Sequence, residues 1–160
     1  MSTAVYAGSF DPLTNGHLEI VERASRLFDC VYVVIMVNQA KQTLFSLDER
    51  LNHLTQAFAN DTSVIVTHSE GLAVDFARTV KADSFVRGIR NTTDYNYEWP
   101  IATMNAELAP EIETVFLMAR PQHEVISSSI VKEIARYGRS VQQFVPDFVA
   151  IDVAQKFGQG

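Results

Sequence analysis

The chain reads as a doubly wound α/β domain, a parallel sheet of about five strands with helices on both faces. Three observations predict it. Short runs of β-branched and aromatic residues recur along the chain, segments with helical spacing lie between them, and the strand-like runs are near-continuously apolar, as in a sheet covered on both sides. Alternating strands and helices imply parallel pairing through right-handed crossovers. Ligands of such sheets bind beyond the carboxyl ends of the strands, so the loops leaving those ends are where chemistry is expected.

The first strand is predicted over residues 3–7. The helix after it opens at Gly16-His17 and carries Leu18, Val21, Ser25 and Phe28 on one stripe with Ile20, Ala24 and Leu27 beside it, the pattern of a helix lying on a sheet. The second strand, residues 31–37, is the longest apolar run and far shorter than the roughly 20 residues that span a bilayer, so no transmembrane segment is expected. Ser46-Leu47-Asp48-Glu49 is a capping box, in which Ser46 and Glu49 satisfy each other's orphan amides; it opens a helix through Leu51, Leu54 and Phe58. A third strand over residues 63–67 precedes a helix from Leu72 to about Val80. Residues 84–87 form the fourth strand. The helix carrying Tyr97, Trp99, Met104 and Leu108 has Pro100 in its interior, where the missing amide is expected to kink or reset it. The fifth strand, residues 113–118, leads to a helix over 127–137 closed by Gly138 in the left-handed C-cap position. A last helix follows Pro146, over 147–157. With no repeat, linker or low-complexity tract, the whole of residues 1–160 reads as one domain.

Composition narrows the function classes. Nineteen acidic against thirteen basic residues give a net charge of −6, which argues against a general nucleic-acid binder. A single cysteine, Cys30, excludes an internal disulfide and a cysteine metal cage. No basic stretch precedes an apolar one at the N-terminus, so no secretory signal is read. A cytoplasmic location with no membrane partner is the expectation.

The loop after the first strand reads Gly8-Ser9-Phe10-Asp11-Pro12-Leu13-Thr14-Asn15-Gly16-His17. It is neither the dinucleotide fingerprint nor the phosphate loop of the ATPases. Gly8 lets backbone approach a ligand, Ser9 offers a hydroxyl and an amide, and His17 lies on the first turn of a helix whose N-terminus favours anions. Lys41 lies in the loop after the second strand. Arg87 and Arg90 leave the fourth strand around Gly88, with rigid forks suited to phosphate oxygens. Ser127, Ser128 and Ser129 open the helix after the fifth strand, as anion ligands or as ordinary N-capping residues. His53, His68 and His123 have no partners at metal-ligand spacing and read as surface or loop residues.

The decapeptide, with its Thr14-Asn15-Gly16-His17, resembles the Thr/His-x-Gly-His signature of the nucleotidyltransferase superfamily, and the full string is similar to that of the bacterial phosphopantetheine adenylyltransferases. Lys41 before Phe45-Ser46-Leu47-Asp48-Glu49-Arg50, then Arg87-Gly88-Ile89-Arg90, Tyr97-Glu98 and Ile126-Ser127-Ser128-Ser129, continue the likeness in order. It implies a Rossmann-like fold of nucleotidyltransferase type and a reaction that joins ATP to 4′-phosphopantetheine, giving dephospho-CoA and pyrophosphate. The attacking phosphate is already anionic, so no nucleophile needs activation and catalysis reduces to alignment and charge stabilisation at the α-phosphate.

The resemblance implies His17, Lys41 and Arg90 as catalytic residues. It implies ATP contacts from Ser9, Phe10, His17, Gly88, Ile89, Arg90, Glu98 and the run His123, Glu124, Val125, Ile126, Ser127, Ser128 and Ser129. Ser9, Lys41, Ala73 and Arg87 would hold phosphopantetheine, and Asp11 would brace the loop. It also implies Mg²⁺ arriving with ATP, no protein metal site, and a homo-oligomer, a hexamer in that family. The chain departs from the family where Ala7 follows Tyr6, where Asn38-Gln39-Ala40 precedes Lys41, where His123-Glu124-Val125 replaces an aromatic residue and a serine, and at Pro100 and Ala106. Two alternatives are weighed: an adenylyl- or cytidylyltransferase with nicotinate mononucleotide or glycerol 3-phosphate as acceptor, and a nucleotide-binding module without turnover.

Overall fold

The computed structural model describes residues 1–158. It contains strands β1 (Thr3–Gly8), β2 (Cys30–Val37), β3 (Val64–Glu70), β4 (Ser84–Ile89) and β5 (Glu113–Met118), and helices α1 (Asn15–Leu27), α2 (Leu47–Ala57), α3 (Ala73–Thr79), α4 (Thr92–Leu108), α5 (Ser128–Arg136) and α6 (Asp147–Lys156). The strands form one parallel sheet in the order β3-β2-β1-β4-β5. The doubly wound reading therefore holds, and the switch in strand order falls between β1 and β4.

Alternation along β1 separates two cores. Ala4 and Tyr6 join one cluster with Ile20 and Val21 of α1, Leu54 of α2, Val131 of α5 and Val149 and Val153 of α6. Val5 and Ala7 face the other, with Val74 and Ala77 of α3 and Ile112 beyond α4. Helices thus cover both faces, which is why the central strands carry almost no polar residues.

The β1–β4 pairing is short. Six residues of β1 pair with β2, from Thr3↔Cys30 to Gly8↔Ile35, but β4 is in register with β1 only at Ala4↔Ser84 and Val5↔Phe85. Past Val5 the two strands part toward their carboxyl ends. That divergence opens the crevice expected at a switch point. In place of the ladder, Arg87 Nη1 donates to the Ala7 carbonyl across the gap.

Several local expectations meet their geometry. Ser46 caps α2 with the reciprocal Glu49 bonds of a capping box, and Gly138 follows the C-cap of α5 at φ +78. Others change. β3 and β4 run further than predicted, and a short 3₁₀ turn, Pro121–His123, precedes α5. Pro100 does not reset α4, which continues through it. The carbonyl four residues earlier, on Asn96, belongs to an exposed residue, so water can take the place of the lost donor. His53 is not at the surface: it is 1% exposed, its Nε2–H donates to Asp152 of α6 at 2.8 Å, and it meets Phe45 edge-on. His68 is exposed, as expected.

Candidate active site

The loops at the carboxyl ends of β1, β2, β4 and β5 converge on a cavity of about 360 Å³. Ser9, Phe10, His17, Lys41, Arg87, Gly88, Arg90, Glu98, His123, Ile126, Ser127, Ser128 and Ser129 all line it. Ile89, Glu124 and Val125 do not; Val125 is an exposed side chain. Ala73 lines a second cavity of about 370 Å³, together with Met36, Phe85, Ile101, Ala102 and Asn105. The two cavities share Ala7, Gly8, Ser9, Arg87, Tyr97 and Glu98.

His17 owes its setting to the way α1 begins. Thr14 is the N-cap, its hydroxyl accepting from the His17 main-chain N–H at 3.3 Å, and the Thr14 N–H donates back to His17 Nδ1 at 3.0 Å. This is a capping box with histidine in the place usually held by Glu or Gln. Because Nδ1 accepts, the ring proton resides on Nε2. Burial, reinforced by Arg87 and Arg90, pushes the His17 pKa down to about 4. The ring at neutral pH is therefore an uncharged Nε2–H donor. Phe10 packs edge-on against it with centroids 5.0 Å apart, and against Tyr6 at 5.5 Å.

The arginines are not free cations. Arg87 is forked onto Glu98, Nε to Oε2 at 2.9 Å and Nη2 to Oε1 at 2.7 Å. Burial works against its charge, but the Glu98 bonds outweigh that and raise its pKa. Arg90 is forked onto Asp94 at 2.8 and 3.0 Å and also donates to the Ile126 carbonyl at 3.0 Å. Lys132 of α5, which sequence reasoning missed, reaches Asp11 at 3.3 Å. The Lys41 ammonium hydrogen-bonds only to the Ser9 hydroxyl, at 3.4 Å, among the described residues. The lining thus holds Lys41, Arg87, Arg90 and Lys132 against Asp11, Asp94 and Glu98. Of these positive groups, Arg87, Arg90 and Lys132 are held in place by carboxylates.

Asp11 braces the loop as expected, accepting from the Leu44 and Phe45 amides at 2.8 and 2.9 Å. Ser127 uses its hydroxyl to cap α5 through Ile130, and Ser128 donates to the Pro12 carbonyl at 2.7 Å. What remains for an anion are the first-turn amides of Ser128 and Ser129, which a helix leaves without intrahelical acceptors. At the far rim the His123 Nδ1–H donates to Glu19, which Arg23 also holds. Burial opposes the charge on Glu19, yet the bonds from His123 and Arg23 keep its pKa low. Lys132 was legible in principle: it lies one turn beyond Ser128 and Ser129 on the same helix face. Asp94 and Thr14 carry the clearest missed roles, and both are helix-start residues.

Among the described residues no group of three His, Cys, Asp or Glu is placed to hold a metal ion, and Asp11, Asp94 and Glu98 already accept from the donors named above. Among the described residues no helix is long and apolar enough to cross a membrane.

Residues 5–134 match the model of the cytidylyltransferase-like family. The chain is 49% identical over 150 residues to a phosphopantetheine adenylyltransferase of Levilactobacillus brevis, covering 94% of this chain and 93% of that one. It is 42% identical over 157 residues to one from Caldanaerobacter subterraneus subsp. tengcongensis, with 98% of each chain covered. Among solved structures, nicotinic acid mononucleotide adenylyltransferase of Plasmodium falciparum complexed with NaAD superposes with a TM-score of 0.68 at 17% identity, over 98% of this chain and 96% of that one. A putative nicotinate-nucleotide adenylyltransferase from Vibrio parahaemolyticus gives the same TM-score at 15% identity, over 99% and 96%. At that identity the likeness speaks for the fold alone.

Proposed function

The chain belongs to the cytidylyltransferase-like family and, within it, to the phosphopantetheine adenylyltransferases, and from that membership we propose how its site carries the reaction. The protein transfers the adenylyl group of ATP to 4′-phosphopantetheine, giving dephospho-CoA and pyrophosphate. A phosphate oxygen of the acceptor attacks the α-phosphorus; one P–O bond forms, the bond to the β-phosphate bridge breaks, and pyrophosphate leaves. No covalent enzyme intermediate is needed.

His17 Nε2–H donates to a non-bridging α-phosphate oxygen and gains strength as charge collects there. Being neutral, it keeps its Nε2 proton throughout and acts as a hydrogen-bond donor, not as a general acid. Lys41 bridges the incoming phosphate and the α-phosphate as a mobile point charge. Arg87 holds the acceptor phosphate, while Arg90, Lys132 and the Ser128 and Ser129 amides take the β- and γ-phosphates. Ser9, Phe10, Gly88, Ile89 and Glu98 with the 123–129 run complete the ATP side. Mg²⁺ carried on ATP would supply charge neutralisation at the phosphates; Asp11, Asp94 and Glu98 are engaged by neighbouring donors and would form no cage for it.

One observation carries this reading: two cavities of similar size meet at the Ser9 and Arg87–Glu98 wall. The first offers phosphate ligands and the second a mainly apolar slot with Asn105, suited to an extended arm that carries amides. Ala73 contributes to the second. The reading extends to a single domain over residues 1–160, a cytoplasmic location and a homo-oligomer, hexameric as in the family. Exposed Tyr97, Trp99, Met104 and Leu108 of α4 support self-association.

The test is pyrophosphate release from ATP with 4′-phosphopantetheine, nicotinate mononucleotide or glycerol 3-phosphate supplied in turn. Turnover only with 4′-phosphopantetheine is expected. Release with either of the others and not with phosphopantetheine overturns the acceptor, and tight ATP binding with no release at all overturns catalysis.

A further inference from the structure

Arg50 lies outside both cavities on the first turn of α2, 6% exposed, and its hydrogen bonds all go to main-chain carbonyls. Nε donates to Phe45 at 3.1 Å and Ser46 at 3.3 Å, and Nη1 crosses to the Ser9 carbonyl at 3.0 Å. Burying a guanidinium without a carboxylate partner is costly, and apolar replacements of buried charges are often neutral or stabilising. Two of its three acceptors do not depend on it: Phe45 O also receives Thr43 Oγ1 at 2.7 Å and Ser46 O receives the Arg50 main-chain N–H at 3.0 Å. The Ser9 carbonyl has Arg50 as its hydrogen-bond donor.

The Ser9–Phe10 peptide is where that bond matters. Phe10 sits at φ +49, a left-handed conformation that a residue with a large side chain rarely adopts and that is held only when its surroundings impose it. In a trans peptide the C=O and the following N–H point in opposite directions. With its carbonyl pinned to Arg50, which lines neither cavity, this peptide directs the Phe10 N–H away from that guanidinium, and Ser9, Phe10 and His17 themselves line the first cavity. Rotation of the peptide would relieve the strain at Phe10 and turn the amide away. Lys41, bonded to Ser9 Oγ, depends on the same residue.

We propose that Arg50 is a positioning residue for adenylyl transfer, fixing the Ser9–Phe10 peptide so that its N–H meets a substrate phosphate oxygen. The proposal rests on the adenylyl-transfer reading for its substrate but concerns a residue that touches none. It accounts for a buried cation that the fold itself does not require. A guanidinium behind the carbonyl also polarises the peptide and strengthens the amide as a donor.

The experiment compares wild type, Arg50→Met and Arg50→Lys by steady-state kinetics, thermal unfolding, and the Phe10 amide signal in ¹⁵N-labelled protein titrated with a non-hydrolysable ATP analogue. Arg50→Met is expected to melt close to wild type, to lose about 30- to 300-fold in kcat, as for loss of one preorganised donor, with much less change in the KM for ATP. Its Phe10 amide should no longer respond to the analogue. Arg50→Lys, which retains one donor for Ser9, should recover at least tenfold of the loss and the amide response. A kcat within twofold of wild type in Arg50→Met, or a Phe10 amide that responds as in wild type in a variant that has lost kcat, overturns the proposal. If Arg50→Met does not fold, the same two criteria are applied to Arg50→Gln, whose amide nitrogen ends at the Nε position and so lacks the Nη1 donor to the Ser9 carbonyl. If wild type shows no turnover of phosphopantetheine, the functional reading fails by itself, and the amide titration still decides the role of Arg50.

Discussion

The Thr14 main-chain N–H donates to His17 Nδ1 across 3.0 Å, so the bond that starts α1 also determines which nitrogen of the imidazole carries its proton. Helix capping and tautomer choice are one interaction. His17→Ala is expected to lower kcat by about a hundredfold or more with little change in ATP binding, because the bond strengthens chiefly in the transition state. His17→Gln should keep the cap and lie about 1 kcal/mol above His17→Ala in stability, since its amide oxygen can accept from Thr14. Isothermal titration with ATP, steady-state kinetics and urea unfolding check the three parts; unchanged kcat in His17→Ala would remove the ring from the mechanism.

The low pKa of His17 has a sign that can be tested. Its folded value of about 4 lies below the ordinary 6.5, so between those values the unfolded chain binds a proton that the folded chain does not. Stability is therefore lost as pH falls through this window, by at most about 3 kcal/mol from this group. Urea unfolding at pH 7 and pH 5 should show a smaller loss for His17→Gln than for wild type. Ring ¹⁵N shifts should report a neutral Nε2–H imidazole from pH 5.5 to 8, with no titration midpoint near 6.5.

Arg87→Lys replaces a fork by a point. Glu98 then keeps at most one of its two bonds, and the hold proposed for the acceptor phosphate loses the rigid fork that orients it. The KM for phosphopantetheine should rise about tenfold or more, and that for ATP by clearly less. Equal effects on the two substrates would contradict the assignment of Arg87 to the acceptor.

Filling the second cavity should separate the two substrates further. Ala73→Phe places a ring among Met36, Phe85 and Ile101. It is expected to raise the KM for phosphopantetheine at least tenfold and leave ATP binding, measured by calorimetry, within about twofold, as uniform binding of one substrate alone is removed. A loss of ATP affinity of the same size would show that the two cavities are not distinct subsites.

Asp152→Ala isolates a contact that belongs to stability. It leaves buried His53 Nε2 without its acceptor, at a cost of about 1–3 kcal/mol in urea unfolding. The kcat should stay within about twofold, because neither residue lines a cavity.

The strand and helix sequence was legible because each element carries its own local signal: the apolar runs of β1 and β2, the Ser46–Glu49 box, and Gly138 closing α5. The loops that meet at the crevice were legible because the fold class places carboxyl ends together. Partnerships across the chain were not. His53 looked like a surface residue because the helix that covers it, α6, bonds to it from 99 residues away. The partners of Arg87 and Arg90 were not legible because their carboxylates come from α4, and Arg90, which precedes the N-cap Asn91, meets Asp94 across the start of that helix and not as a pair within it. Tyr97, Trp99, Met104 and Leu108 have the apolar character of a core, yet they lie on the exposed surface of α4.

The parallel sheet also gives the molecule an end whose residues line neither cavity. At its amino edge the Ser2 N–H donates to Asp29 at 2.7 Å and the Thr3 N–H to Asp83 at 2.7 Å, which fastens the start of β1 to the turns before β2 and β4. Met1 projects from that edge, 95% exposed. A purification tag or surface tether joined at Met1 would hang from the end of the sheet opposite the substrate openings, so the protein can be immobilised there for single-turnover or binding measurements with both openings facing the solution.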